Sequence, residues 1–203
     1  MAENTRYKNH AAVTGYPKVI ILEEPKGKKP YLNIEASIPL PGGSLTAYGK
    51  MRGDESEIRS LHDFHKANPA MPIDMKGVIS QFKSKDPESR LITNFTLFRW
   101  SPYVGTASGF KAAFVIRGEI ISKDTTNGTI TISQPSQGTD QEEGSLTLYL
   151  EDTKDIEELE AGAFIEVKGM LKPKTLEDRY GESTSPIRPY IEEISTVGKK
   201  TPM

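Results

Sequence analysis

Thr46, Tyr48, Lys50 and Arg52 stand at alternate positions of one short run, with Leu45, Ala47 and Met51 on the opposite parity. In an extended strand alternate side chains share a face, so one face of this run is apolar and the other carries a phenol ring and two cations. A ring offers a flat π surface and a cation offers electrostatic attraction. Together they suit a planar, negatively charged polymer. The plainer account is that an outward Tyr packs across strands and that surface lysines are solvated. What weighs against it is a second copy: Gly43-Ser44-Leu45-Thr46-Ala47-Tyr48 returns as Gly144-Ser145-Leu146-Thr147-Leu148-Tyr149.

Catalytic chemistry finds less support. His62 and His65, three residues apart, have the spacing of a metal pair on a helix, yet the chain has three histidines and no cysteine, and a solvated or packed helix face is the commoner reading. There is no phosphate-binding loop, no dinucleotide fingerprint and no nucleophile elbow. Carboxylates are plentiful but scattered, as on a solvated face. Asn94-Phe95-Thr96 and Asn127-Gly128-Thr129 are glycosylation sequons that mean little without a secretory signal.

The elements that must position these groups come in a repeated order. Ile73-Asp74-Met75-Lys76-Gly77-Val78-Ile79 returns as Ile165-Glu166-Val167-Lys168-Gly169-Met170-Leu171, each copy downstream of one of the tyrosine runs. In the first half, residues 11–22 read as a strand bent at Gly15 and Pro17, and 24–30 as a turn with three lysines. Residues 31–38 alternate cleanly, with Leu32, Ile34, Ala36 and Ile38 on one face; 44–52 form a third strand. Asp54 and Glu57 form a capping box opening a helix with Ile58, Leu61 and His65 at helical spacing, ended by Pro69. Residues 71–82 and 90–100 are strands joined by a basic loop. The second half repeats this: strands at 112–122 and 129–133 around an Asn127-Gly128 turn, a strand at 145–151, a short helix at 154–159, and strands at 163–172 and 189–195.

The chain has 203 residues and a net charge of −2, unevenly distributed: residues 1–105 hold 15 Lys and Arg against 11 Asp and Glu, and residues 106–203 hold 11 against 17. Bulk electrostatics therefore cannot make the whole chain a polyanion binder, and a local basic face in the first half is needed. The absence of cysteine leaves no disulfide framework, and no apolar run approaches membrane length. A polar N-terminal stretch without a signal peptide completes the expectation of a cytoplasmic protein, in the host cell if phage-encoded.

Strand, strand, strand, helix, strand, strand, twice over, is the order of the OB-fold, a small Greek-key barrel. The segment 156–169, Ile-Glu-Glu-Leu-Glu-Ala-Gly-Ala-Phe-Ile-Glu-Val-Lys-Gly, is similar to the helix-to-fourth-strand region of nucleic-acid-binding OB domains. In that reading Leu159 plugs the barrel bottom, Gly162 ends the helix and Gly169 lets a coiled strand bend. The whole chain thus resembles tandem OB-fold single-stranded DNA-binding proteins, phage, bacterial or of the replication protein A type. The resemblance implies an all-β fold with short helices: a polar lead at 1–10, barrels at 11–100 and 111–197, a linker at 101–110 and a basic tail at 198–203. That tail departs from the acidic, partner-recruiting end of many such proteins and puts tail-mediated recruitment in doubt.

The resemblance also implies a non-enzymatic protein of DNA replication or recombination, phage, plasmid or virus origin included, with no cofactor. Its strand-binding residues are then Tyr31, Tyr48, Lys50, Arg52, Phe82, Lys83, Lys85, Arg99 and Trp100 in the first half, and Tyr149, Lys168, Lys172, Lys174, Arg179 and Tyr180 in the second. Trp100 has an equal claim to the core, because Phe95, Leu97, Phe98 and Trp100 occupy both parities of one strand. Single-stranded DNA is the expected partner, with RNA open. The competing class is a protein-interaction module whose acidic second half docks a replication partner or a second copy.

Overall fold

The computed structural model describes residues 7–40, 43–83, 91–134, 144–152, 154–173, 176–177, 183–184 and 187–199. The chain divides into two compact units: Ala11–Ala112 with the described part of 172–187, and Ala113–Leu171 with the described residues of 7–10 and 188–199.

In the first unit the strands are β1 (Lys8–Glu23, its first three residues counting with the second unit), β2 (Tyr31–Leu40), β3 (Gly43–Met51), β4 (Ile73–Lys83) and β5 (Leu91–Pro102), with helix α1 (Glu55–Ala67) between β3 and β4. β1 pairs with β4 through 11–15 and with β2 through 16–23, so the five strands pair in a ring, β1-β2-β3-β5-β4 and back to β1. All contacts are antiparallel except β3 with β5. The ring is lined by the alternating apolar residues: Leu32, Ile34, Ala36 and Ile38 of β2 and Leu45, Ala47 and Met51 of β3 are all buried. α1 starts where the capping signal places it, the Asp54 carboxylate accepting from the Ser56 amide at 2.7 Å. Its buried residues, Ile58 and Leu61, are wholly covered.

The second unit contains β6 (Ala112–Asp124), β7 (Thr129–Gln134), β8 (Gly144–Tyr149), the short α2 (Lys154–Glu157), β9 (Ala163–Pro173) and β12 (Ile187–Lys199), while the two-residue ladder of β10 (Leu176–Glu177) and β11 (Ser183–Thr184) counts with the first unit. Here too the pairing closes: β6-β7-β8-β12-β9, with β9 returning to β6. The all-β expectation therefore holds, and both units have the strand order of an OB-type ring. The described residues of the N-terminal lead, 7–10, are part of the second unit: the Tyr7 ring meets Phe164 edge-on at 5.3 Å, and the Lys8 ammonium lies 4.0 Å from Glu166. The fully buried apolar residue of the α2 segment is Ile156, whereas Leu159, the expected plug, is half-exposed. α2 ends at Glu157, two residues short of the expected end, so Leu159 falls outside the helix. The Lys123 ammonium binds the carbonyl ends left there, donating to Ile156, Glu157 and Leu159 oxygens at 3.2, 3.2 and 2.7 Å.

The repeated Lys-Gly pair has a steric cause. A Cβ at Gly77 would run into the Thr96 carbonyl oxygen on β5, and one at Gly169 would run into the Tyr190 carbonyl oxygen on β12. In each unit the fourth strand approaches the fifth too closely for any side chain. In the first, this coincides with a register shift between Lys76 and Gly77.

Gly77→Ala and Gly169→Ala should therefore each destabilise by about 1–3 kcal/mol through overpacking. Gly144→Ala, where the nearest neighbour lies at an ordinary 3.5 Å, should be near neutral. Urea denaturation of the three variants checks this, and equal midpoints would refute it. A second expectation concerns Arg117 and Glu166, cross-strand partners joined at 2.6 and 3.1 Å. The hydrogen bond from Arg117 outweighs the cost of burial and, with the charges of Arg117, Lys8 and Lys168, holds the Glu166 carboxyl below the usual range. A depressed folded pKa stabilises above the unfolded value, about 4.3, and that contribution disappears as pH falls through the folded one. Glu166→Gln should accordingly flatten part of the acid limb of the stability profile followed by circular dichroism.

Candidate nucleic-acid interface

The outward face of the first unit runs across three strands, one more than the alternation of β2 and β3 predicts. Val19 on β1 pairs with Glu35 on β2, which pairs with Tyr48 on β3; the next row is Ile21, Asn33 and Lys50. Tyr48 is 60% exposed, Ile21 50% and Val19 41%. The result is an apolar and aromatic strip with Lys50 at its edge, interrupted by one carboxylate, Glu35. Val19 and Ile21 escape a reading by periodicity because the ladder slips between Pro17 and Val19 and inverts the parity halfway along β1.

At one end of this face is a groove of about 540 Å³ lined by Pro25, Lys28, Lys29, Pro30, Tyr31, Lys50, Arg52 and Gly53. The local sequence builds it. Pro25-Lys26-Gly27-Lys28 is a turn closed by the Lys28 amide on the Pro25 carbonyl at 3.0 Å, with Gly27 at φ +74°, where a side chain would be strained. That turn brings Lys28 and Lys29 opposite Lys50 and Arg52 of the third-strand end. The Lys50 ammonium lies 5.0 Å from the centroid of the Tyr31 ring, a cation–π contact. Neither Lys28 nor Lys29 is singled out by sequence reasoning, since three lysines in a turn read as solvated. Their convergence depends on the turn geometry.

The remaining expected residues of this unit are dispersed. Phe82 is 51% exposed and pairs with the exposed Ile92 at the far end of the β4–β5 hairpin, beside Lys83. Lys85 lies outside the described residues. Arg99 is exposed opposite Lys76. Trp100 packs against Phe64 of α1, the rings tilted at 47° with centroids 4.9 Å apart, and its indole nitrogen is buried with no hydrogen-bond partner among the described residues. That is a packing position. On the same helix, burial and then the charge of His62 hold the His65 imidazole below its usual range. Among the described residues no group of three His, Asp or Glu could hold a metal ion.

In the second unit the counterpart ring is covered. Tyr149 is half-buried, with the Arg188 guanidinium 4.6 Å from its centroid and the Tyr190 ring at 5.6 Å, both from β12. Neither Arg188 nor Tyr190 is reached by the sequence argument; the parallel pairing of Tyr190 with Tyr149 brings them in. Lys168 is exposed but donates to Glu193 at 2.9 Å, a bond that raises its pKa. Lys172 is half-buried on β9, and Lys174, Arg179 and Tyr180 lie outside the described residues. The two copies of the tyrosine run thus occupy equivalent strand positions and different surroundings.

No family model matches the chain, and no curated protein sequence matches it. Solved structures do. The wild-type single-stranded DNA-binding protein from Thermus aquaticus matches with a TM-score of 0.65 at 14% identity, over 98% of this chain and 96% of that one. A deletion variant of the same protein matches with a TM-score of 0.64 at 15% identity, over 98% of both chains. The chain therefore has, over nearly its whole length, the OB-fold architecture of those proteins.

Proposed function

We propose that this chain is a non-enzymatic single-stranded DNA-binding protein, acting where single strands arise in replication or recombination, and that its first unit supplies the main binding face. The observation that carries the reading is the open Tyr48 ring on the same outward face as Lys50, one wall of the basic groove. Bases stack on such a ring whatever their identity, and the cations follow the phosphates. The fold likeness to proteins that bind single-stranded DNA supports this independently. With a net charge of −2 the chain cannot depend on bulk attraction, so the salt dependence should be shallower than that of a basic protein.

The test is a fluorescence-anisotropy titration with labelled oligo-dT, oligo-U and duplex of equal length. Oligo-dT should bind well ahead of duplex, and no response at low salt would end the proposal in favour of a protein-docking module. Tyr48→Ala should weaken oligo-dT binding about 5- to 150-fold, the range that 1–3 kcal/mol of stacking covers. Tyr149→Ala should cost much less, because Arg188 and Tyr190 already occupy its surroundings. Comparable losses from the two substitutions would mean that the units share the work equally.

A further inference from the structure

The groove beside the Pro25–Lys28 turn carries more charge than an internal stretch of strand would use. Lys28, Lys29, Lys50 and Arg52 converge on about 540 Å³, no carboxylate is among the lining residues, and none of the four is ion-paired among the described residues. The nearby acids are engaged elsewhere. Asp54 accepts from the amide and hydroxyl of Ser56 at 2.7 and 2.6 Å, and Glu24 takes Arg59 at 2.7 Å. Asp54 does sense the charge of Lys29, and Glu23, the cross-strand partner of Tyr31, accepts from Asn33 at 3.3 Å, so two occupied carboxylates stand at the margin.

A volume of this size matches a small-molecule pocket and takes on the order of one nucleotide. An internal nucleotide brings a phosphodiester with a single negative charge. A phosphomonoester brings about 1.5 to 2 at neutral pH, with three strong acceptor oxygens. Three ammonium groups and a guanidinium around so small a space complement the second far better than the first. Tyr31 supplies the remaining element, a ring at the groove wall; Lys50 rests 5.0 Å from its centroid, so the nucleoside lies against the ring once the Lys50 ammonium swings to the phosphate.

We infer that this groove is a seat for the phosphomonoester of a nucleotide, with Lys28, Lys29, Lys50 and Arg52 around the phosphate and Tyr31 against the nucleoside. The natural source is the phosphorylated end of a DNA strand, and in that form the inference rests on the function proposed above; a free nucleotide brings the same chemistry. The protein would then favour strand ends over strand interiors at this position.

The experiment compares oligo-dT strands of one length that carry a 5′-phosphate, a 3′-phosphate or hydroxyls at both ends, each labelled internally, in anisotropy titrations with the full chain. Thymidine monophosphate and inorganic phosphate serve as competitors. One phosphorylated end should bind about fivefold or more tighter than the hydroxyl-ended strand, the effect of a single added surface ion pair at its upper range. Lys28→Ala with Lys29→Ala should bring that ratio to one, whatever it does to the affinity of the hydroxyl-ended strand, with an unchanged melting temperature as the control for folding. Competition by thymidine monophosphate without any end preference would support the same seat with a free nucleotide as its ligand. Equal binding of all three strands with no competition by the mononucleotide overturns the inference and leaves single-strand binding intact. Loss of all strand binding overturns the proposed function, and the groove is then judged on the mononucleotide alone.

Discussion

The contact on which both rings depend is the close approach of the fourth strand to a carbonyl of the fifth. Thr96 and Tyr190 place their carbonyl oxygens where a Cβ would stand on Gly77 and Gly169. Five strands can return to the first only if they coil tightly, and coiling crowds backbone against backbone at particular points. Evidence of that crowding is the slipped register at Lys76 and Gly77. Once the ring is closed, each strand has an inward and an outward face, and every outward residue has fixed neighbours.

Those neighbours, more than the tyrosines themselves, distinguish the two units. The duplicated run puts a ring at the same strand position in each. In the first unit its own row offers only Glu35 and Val19, and the ring stays open. In the second, the parallel partner strand β12 brings Arg188 over the ring and Tyr190 beside it. The lysines diverge in the same way: Lys76 is exposed opposite Arg99, whereas Lys168 is tied to Glu193. A cation already resting on a ring occupies the surface that a base would need, and displacing it subtracts a contact from whatever stacking adds.

Much of this architecture was legible because the buried alternation runs through most of β2, β3 and β8, broken in β3 only at Gly49, and period-two patterns identify strands and their faces together. The capped helix was legible for a similar reason, since Asp54, Ile58 and Leu61 express one geometry at three levels. What failed to show had physical causes that a linear pattern does not record. The bulge in β1 inverts parity partway along, so Val19 and Ile21 could not be assigned a face. α2 stops at Glu157, and the buried residue there is Ile156 in place of Leu159, three residues earlier and still apolar. Trp100, ambiguous by parity, is decided by Phe64, a residue 36 positions away in the helix. The cations of the turn were visible as charge but not as a site, because only the Gly27 conformation brings them together.

This last point reconciles an acidic chain with the polyanionic ligand proposed for it. A net charge of −2 sets the far field, which falls off within about 8–10 Å at ordinary salt. Inside that distance the local arrangement governs, and four cations around one groove create a strongly positive region whatever the second unit carries. The acidic second half then has a consequence of its own. It lowers long-range attraction to duplex and to phosphate in general, leaving discrimination to contacts that require an unstacked base or a particular phosphate. On the proposed reading, a protein built in this way gives up association rate to gain selectivity, because its attraction for a single strand acts mainly where a ring and a groove can both be used.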